Sequence, residues 1–297
     1  MIAPSDNAEN GPAFTVIVPA HNEERLIART LGSMLDRWPA GRKPRVIVAC
    51  NGCTDDTAKA ALRAAPDAEI IELPLASKAS AINAGLDRTR AFPVIVVDAD
   101  VQIDPVSLLA LARTLGEPGV MAASPASRVR TENSDWWTRT YYRVWADQAY
   151  LRTGVGGTGV YGLSREGVAR LGRFPPVSGD DTYVRWFFPP GAQRRVERDG
   201  DHQVRSTVEA PLRLKNLLAC EARWQAGNVE LRRLMAEPVW PDSPRRGPIG
   251  WRFAPASMVY YAIKILGRVQ YGLNRVRGTG GQWHRDISRR QPSRTAL

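Results

Sequence analysis

A short run of β-branched residues that ends in two aspartates constrains the fold of this chain more than any other feature. Residues 94–97 read Val-Ile-Val-Val, which is typical of a strand buried on both faces of a parallel sheet. Asp98-Ala-Asp100 follows directly. Because open α/β sheets bind ligands at the carboxyl ends of their strands, both carboxylates are candidate ligands for Mg²⁺ or Mn²⁺ beside a phosphorylated substrate. Acidic residues are also common in ordinary turns, so the two aspartates alone leave a solvated turn open.

Strand and helix patterns alternate over the first part of the chain, up to about residue 125. The strands predicted there cover residues 14–18, 45–49, 69–72 and 94–97. Further elements predicted by periodicity are helices at 78–90, from 105, within 134–152, from 180 and at 211–236, with short strands near 194–197 and 203–208. This spacing predicts an α/β fold with a mainly parallel sheet, right-handed crossovers and flanking helices.

The three cysteines do not predict a disulfide scaffold or a metal site. Cys50-Asn-Gly-Cys53 lies in a polar loop rather than at a helix start, and a zinc site would need ligands beyond Cys220 and three scattered histidines. We interpret the loop as facing a phosphate or a base, with Thr54 capping the next helix. The chain lacks a long uncharged apolar run and an apolar leader. We therefore expect a cytoplasmic protein, soluble or attached peripherally at the inner face of the membrane.

Two later motifs carry candidate chemistry. Asp180-Asp181 stands at a predicted helix start, where one carboxylate can cap the helix and a pair can supply a general base near a metal–phosphate site. Arg223-Trp224 lies within the long helix, where an arginine can neutralise a diphosphate and a tryptophan can form a flat wall for a sugar or base. In isolation, a half-buried structural pair is the simpler interpretation. The glycine-rich residues 154–159 permit either close approach to a substrate or flexibility.

Taken in order, these motifs resemble those of family 2 glycosyltransferases over about residues 13–235. The motifs are Val16-Ile-Val-Pro-Ala-His-Asn-Glu23, Asn51-Gly-Cys-Thr-Asp-Asp-Thr57, Lys78 with Asn83-Ala-Gly85, Asp98-Ala-Asp100, Gly179-Asp-Asp181 and Arg223-Trp224. The resemblance implies the A-type nucleotide-diphospho-sugar transferase fold (GT-A) and inversion of the anomeric centre. It implies a nucleotide-diphospho-sugar donor bound with Mg²⁺ or Mn²⁺, and an acceptor hydroxyl on a glycan, a lipid-linked molecule or a small molecule.

The resemblance also implies a role for each motif residue. Asp100 would hold the metal ion, and Asp98 would join it on the nucleotide or ribose side. Asp181 would be the base that deprotonates the acceptor, with Asp180 beside it, and Arg223 would add positive charge behind the leaving group. The residues implied at the donor are Pro19, Glu23, Asn51, Asp55, Lys78, Asp98 and Trp224.

The chain departs from the family pattern at three positions. Cys50 stands where many members have the first aspartate of an Asp-Asp-Gly-Ser pattern, which weakens the case for a uracil base. Cys220 stands at the glutamine position of the Gln-x-x-Arg-Trp motif, and no spanning helices are predicted beside it, so we expect non-processive transfer. Gly179-Asp-Asp replaces the more usual Glu-Asp pair and keeps the base.

The C-terminal part of the chain is strongly basic. The net charge of the protein is +11, and ten Arg and one Lys against two Asp give residues 238–297 a charge of +9. We divide the chain into a flexible N-terminus (1–12), a catalytic domain (13–237) and this basic extension. Within it, residues 255–273 predict a helix that either lies on an anionic membrane surface or packs on the domain with a solvated basic face. Its predicted apolar positions are Val259, Ile263, Leu266, Val269 and Leu273, and a short basic segment follows at 283–290.

Two other functions stay open at this level. A nucleotidyltransferase also uses acidic metal ligands on an α/β sheet, and it would take a triphosphate substrate. A non-catalytic nucleic-acid-binding protein would use the basic tail and bind with a steep salt dependence. The tail matches no recognisable reader module, so we expect no specific nucleic acid partner.

Overall fold

The structure is a computed structural model that describes residues 13–39, 41, 43–148, 151, 153–157, 159–235 and 254–277. The strands are β1 (Thr15–Ala20), β2 (Arg45–Asn51), β3 (Glu69–Leu73), β4 (Val94–Val97), β5 (Gln102–Ile103), β6 (Ala122–Arg130), β7 (Val160–Leu163), β8 (Gln193–Val196), β9 (Arg198–Asp199), β10 (His202–Gln203) and β11 (Arg205–Glu209). The helices are α1 (Ile27–Leu35), α2 (Thr57–Ala64), α3 (Lys78–Arg88), α4 (Pro105–Thr114), α5 (Trp136–Trp145), α6 (Arg165–Leu171), α7 (Asp180–Phe187), α8 (Leu214–Leu234) and α9 (Ala254–Val276).

Nine of the described strands form one sheet in the order β3-β2-β1-β4-β7-β6-β11-β5, with β8 paired to β6. The first four strands form a parallel half, because β1 pairs with β2 and β4, and β2 pairs with β3. Every residue of β1 and β4 is buried, which explains their continuous apolar runs. The parallel arrangement predicted for this half is confirmed. It brings the loops after β1, β2 and β4 to the same edge of the sheet.

The second half of the sheet is mixed. β7 runs antiparallel to β4 and β6, and β5 runs antiparallel to β11. The central nine-residue strand β6 is not predicted from the sequence, because it contains alanine, serine, proline and arginine and no run of β-branched residues. Its first residues, Ala122 and Ala123, are fully buried. Small side chains fit here because the strand lies in the middle of a covered sheet, so tertiary packing overrides its low strand propensity.

The starts of α5 and α8 are tied together by one aspartate. Asp135 accepts hydrogen bonds from the backbone N–H groups of Thr138 (2.9 Å) and Leu214 (2.7 Å). Burial opposes ionisation, but these bonds hold the pKa of Asp135 below its ordinary value. Both helices lie within the ranges predicted for them, and the shared cap fixes where they begin relative to each other.

The helix of the basic extension packs on the domain. α9 contacts α8 and α5, and Tyr260 stacks on Tyr141 at a centroid distance of 4.9 Å. The predicted apolar side of this helix is divided, since Ile263 is buried while Leu266 and Val269 are about half exposed. The division arises because the face that packs inward is centred on Tyr260 and Ile263 rather than on the whole apolar set. None of the helices in the described ranges has the length and hydropathy of a membrane span. Residues 1–12 and the basic segment 283–290 lie outside the described residues.

Candidate active site

Most of the predicted site residues line one cavity at the carboxyl ends of β1 and β4. The cavity has a volume of about 220 Å³. The predicted residues in its wall are Pro19, Glu23, Lys78, Asp98, Asp100, Asp180, Asp181, Arg223 and Trp224. These residues come from the first strand end, the start of α3, the end of β4, the start of α7 and the middle of α8. The fold therefore gathers side chains that lie far apart in the sequence.

Asp98 and Asp100 lie in a turn that follows β4, not in the strand itself. The backbone N–H of Asp98 donates to the carbonyl of Gly159 (2.7 Å), and the N–H of Val101 donates to the carbonyl of Asp98 (3.0 Å). Both aspartates line the cavity. The turn thus presents two carboxylates to one space, although the strand has already ended at Val97.

Lys78, the first residue of α3, joins the two acidic motifs. Its Nζ lies 2.6 Å from Oδ1 of Asp98 and 2.8 Å from Oδ1 of Asp180. Burial of the ammonium disfavours its charge, but the carboxylates of Asp180 and Asp98 outweigh burial and raise the pKa of Lys78 above its ordinary value. Lys78 is therefore a fixed cation between the end of β4 and the start of α7.

The acidic groups still outnumber the cations around them. Burial raises the pKa of Asp98 to about 7, against the effect of Lys78 and with the charges of Asp180 and Asp100 acting in the same direction as burial. Among the described residues, no three His, Cys, Asp or Glu side chains converge as a complete metal-binding group. These residues nevertheless fit Mg²⁺ or Mn²⁺, because such an ion takes one or two carboxylates and completes its shell with phosphate and water. A divalent cation would also relieve the excess negative charge.

The adjacent aspartates at the start of α7 lie in different environments. Both oxygens of Asp180 are engaged, Oδ1 by Lys78 and Oδ2 by the hydroxyl of Tyr161, which donates at 3.0 Å. Asp181 accepts from the backbone N–H of Thr182 through Oδ1 (2.7 Å). Its Oδ2 faces Gly157, where an added Cβ would lie 3.4 Å away. Burial, followed by the charge of Asp180, raises the pKa of Asp181. Asp181 is thus the one of the two whose second oxygen is turned to the cavity wall.

Gly159 allows the turn of Asp98 to close. Its φ of +67° lies in the left-handed region, and an added Cβ would lie 2.8 Å from Oδ2 and 2.9 Å from Cβ of Asp98. The close approach seen at Gly159 is to Asp98 of the protein itself.

Gly159→Ala is therefore expected to reduce the free energy of unfolding by about 1–3 kcal/mol, because the methyl group is strained by the backbone and collides with Asp98. Urea unfolding would measure the change. Gly191→Ala is the control, because an added Cβ there meets nothing within 4 Å. Equal unfolding curves for the two variants would show that the contact with Asp98 does not constrain the turn.

The loop after β2 lies outside this cavity and supports it. Asn51 is fully buried, and its Nδ2 donates to the carbonyl of Ala20 (2.8 Å). Asp55 accepts from the backbone N–H of Glu24 (3.2 Å). Thr54 does not cap α2 as predicted, because α2 begins after Asp56 and the backbone N–H of Thr54 donates to Oδ1 of Asn22 (2.7 Å). These bonds hold the loop against the segment that carries Pro19 and Glu23.

An aromatic part of the cavity wall is not predicted from the sequence. Tyr142 and Trp145 of α5 line the cavity together with Cys220 of α8. The density of aromatic residues between 134 and 152 is the signal that could have identified them. Cys220 lies one turn before Arg223 and Trp224, so the position that departs from the family motif is itself in the wall.

Similar proteins are known for both the sequence and the fold. The family model described as Glycosyl transferase family 2 matches residues 15–165. Two proteins named as uncharacterized glycosyltransferases, from Mycobacterium bovis and Mycobacterium tuberculosis, are 30% identical to this chain in an alignment of 145 residues that covers 45% of it. The chain spans 63% of the length of these relatives.

Solved structures with a similar fold are more distant in sequence. A mannosyltransferase from Pyrobaculum calidifontis in complex with GDP-Man and Mn²⁺ has a TM-score of 0.60 at 22% identity, covering 89% of this chain and 75% of that one. Glucosyl-3-phosphoglycerate synthase from Mycobacterium tuberculosis in complex with Mn²⁺, UDP and glucosyl-3-phosphoglycerate has a TM-score of 0.52 at 22% identity, covering 82% and 88%. At these identities the likeness establishes the fold, which is the A-type glycosyltransferase fold expected from the motifs.

Proposed function

Since this chain belongs to glycosyl transferase family 2, we propose that it is a metal-dependent, inverting and non-processive glycosyltransferase. The reaction moves one sugar from a nucleotide-diphosphate donor to an acceptor hydroxyl. The observation that carries the proposal is the meeting of Asp98, Asp100 and Asp181 in one cavity that also contains Lys78 and Arg223. Membership of the family favours this reaction over the nucleotidyltransferase and the nucleic-acid-binding protein that the sequence left open.

The donor side of the cavity combines carboxylates with two cations. Asp100 and Asp98 would hold Mg²⁺ or Mn²⁺, which when bound neutralises diphosphate charge as the sugar–phosphate bond breaks. Lys78 is fixed in the same wall, and Arg223 would place a second positive charge behind the leaving group. Trp224 is 36% exposed and offers a flat surface to a sugar or base. Pro19 and Glu23 complete this side of the wall. Asn51 and Asp55 hydrogen-bond to the segment that carries these two residues and hold it in position.

Asp181 is the proposed general base. Its Oδ2 would accept the proton of the acceptor hydroxyl while the acceptor oxygen bonds to the anomeric carbon. The bond from that carbon to the diphosphate oxygen breaks on the opposite face, so a single displacement inverts the centre. Asp180 has both oxygens engaged by Lys78 and Tyr161, and we assign it the role of positioning Lys78. Cys220 in place of the glutamine of the Gln-x-x-Arg-Trp motif supports non-processive transfer.

Asp100→Ala is expected to abolish the stabilisation that a donor confers in the presence of Mn²⁺. A ligand at about 100 times its Kd stabilises a protein by about 2.7 kcal/mol, which is several degrees in Tm. Thermal unfolding with a panel of nucleotide sugars, with Mn²⁺ or with EDTA, would measure this. Nucleoside triphosphates in the same panel distinguish a nucleotidyltransferase.

The matched control is Asp67→Ala, which alters an exposed aspartate in the turn before β3. It should retain the stabilisation by donor and Mn²⁺. If a nucleotide sugar stabilised the unmodified protein equally in Mn²⁺ and in EDTA, metal dependence would be wrong while the family assignment would stand.

A further inference from the structure

The outer face of α9 is apolar and exposed to solvent. Opposite the face that packs on α5 and α8, six large side chains are each between 49% and 87% exposed, and we name them the outer stripe: Met258, Ile265, Leu266, Val269, Leu273 and Val276. Their spacing of mostly three, four and seven residues places them along one side of the helix. A contiguous apolar surface of this kind marks an interaction site.

Basic residues border the outer stripe. Residues 254–277 contain no Asp or Glu and four basic residues. At about 100° per residue, Arg268 and Arg275 lie along one edge of the stripe and Arg277 along the other, and all three are exposed. The fourth, Lys264, points inward and donates to Glu221 (3.0 Å). An apolar stripe between basic edges is the pattern of a helix that lies in a membrane interface, with its apolar side among the acyl chains and its cations at anionic headgroups.

The inner contacts of α9 fix its rotation. Glu221 of α8 is buried and accepts hydrogen bonds from both Lys264 and the hydroxyl of Tyr141. Gly267 lies so close to α8 that an added Cβ would be 2.6 Å from Cβ of Glu221. Because a partly buried ion pair and a close helix contact hold one face inward, the outer stripe is held outward. Its exposure is therefore a property of the folded domain.

We infer that the outer stripe is a docking surface for an anionic lipid bilayer, with α9 lying along the membrane surface. Charge complementarity selects this occupant. If two copies of the stripe packed together, Arg268, Arg275 and Arg277 of one copy would lie near the arginines of the other. The helix has no acidic residue to compensate for this repulsion. The rest of the extension is a poor cover for the same reason, because residues 238–253 and 278–297 contain seven Arg against two Asp, a net charge of +5. Anionic headgroups complement every one of these charges.

Docking through α9 would also set the position of the cavity relative to the bilayer. This step rests on the proposed function. α9 packs against α8, the helix that carries Arg223 and Trp224 of the cavity wall. Lys264 of α9 also lies 5.9 Å from the ring centroid of Trp224. A docked enzyme would therefore hold its cavity within one helix layer of the bilayer, where a lipid-linked hydroxyl acceptor is presented.

Vesicle co-sedimentation of the full chain tests the docking surface. We expect binding to vesicles that contain phosphatidylglycerol, weaker binding to phosphatidylcholine alone, and a decrease as salt is raised. The triple variant Ile265→Ser, Leu266→Ser and Val269→Ser should lose at least about tenfold in binding, because it removes the centre of the stripe. The control is Leu62→Ser with Leu75→Ser, which replaces two exposed leucines (49% and 75% exposed) outside α9.

Three outcomes would overturn the inference. The unmodified protein could fail to bind anionic vesicles, the triple variant could bind as the control does, or light scattering could show that the triple variant converts a dimer to a monomer, which would make the stripe an interface between copies. Vesicle binding needs neither donor nor metal. Its failure therefore leaves the proposed transfer reaction intact, and an inactive protein that binds vesicles would overturn only the transfer reaction.

Discussion

Asp181→Asn is expected to lower the rate of sugar transfer by about 10²–10⁴-fold, because that is the contribution of a positioned general base. An amide keeps the size of the side chain and can still accept the hydrogen bond from the backbone N–H of Thr182. It cannot take the proton of the acceptor hydroxyl. The variant should therefore unfold normally and bind the donor normally, with the loss confined to the catalytic rate. Thermal unfolding, donor binding and single-turnover kinetics would measure the three quantities separately.

The pH dependence of transfer gives a second measure of the same assignment. Burial and the charge of Asp180 raise the pKa of Asp181, so the base is protonated at a higher pH than an exposed aspartate would be. Activity should fall as the pH is lowered through this raised pKa, and Asp181→Asn should lose that dependence. Asp67→Asn should keep both rate and profile. If Asp181→Asn turned over normally while Asp180→Asn did not, the two aspartates would have the opposite roles.

The parallel half of the fold is predictable because the sequences of its strands are compatible with few other structures. Residues 94–97 form β4 with the predicted bounds, since a β-branched run that is buried on both faces fits few other environments. β6 is not predictable in the same way. Ser127 and Arg128 lie in it because β11 pairs alongside, and that partner comes from a distant part of the chain. The pairing register of β6 with the distant strand β11 cannot be predicted from the local sequence.

The site follows the same division. The place of Asp98 and Asp100 in the cavity is predictable because they follow a buried strand of a parallel sheet, and such sheets bind ligands at the carboxyl ends of their strands. The unequal environments of Asp180 and Asp181 are not predictable, since they depend on where Lys78 and Tyr161 arrive in space. The sequence identifies the two carboxylates. Only the packed structure distinguishes Asp180, whose two oxygens are both engaged, from Asp181, whose Oδ2 lies near Gly157 of the cavity wall.

Lys78→Met is expected to lower the free energy of unfolding by about 3 kcal/mol in metal-free buffer at about pH 8. Removing one partner of a buried ion pair leaves the other charge buried without compensation. Methionine has a similar length and no charge, so Asp98 and Asp180 would face each other without their shared cation. The estimate is at the lower end of the usual range because the side chain of Asp98 is 29% exposed. Lys59→Met is the matched control. Lys59 Nζ lies 2.8 Å from Asp56, as Lys78 does from Asp180, but both groups are in solvent, so no measurable change is expected.

The pH dependence of this loss distinguishes electrostatics from packing. The folded-state pKa of Asp98 is already about 7, above its ordinary value, and the cation that lowers it is absent in Lys78→Met. A carboxyl whose folded-state pKa is raised binds its proton more tightly when folded, so stability is regained as the pH falls through that pKa. The deficit should therefore shrink between about pH 8 and about pH 5 in urea unfolding with EDTA present. A deficit of equal size at both pH values would mean that Lys78 stabilises the site by packing alone, because a lost methylene contact does not titrate.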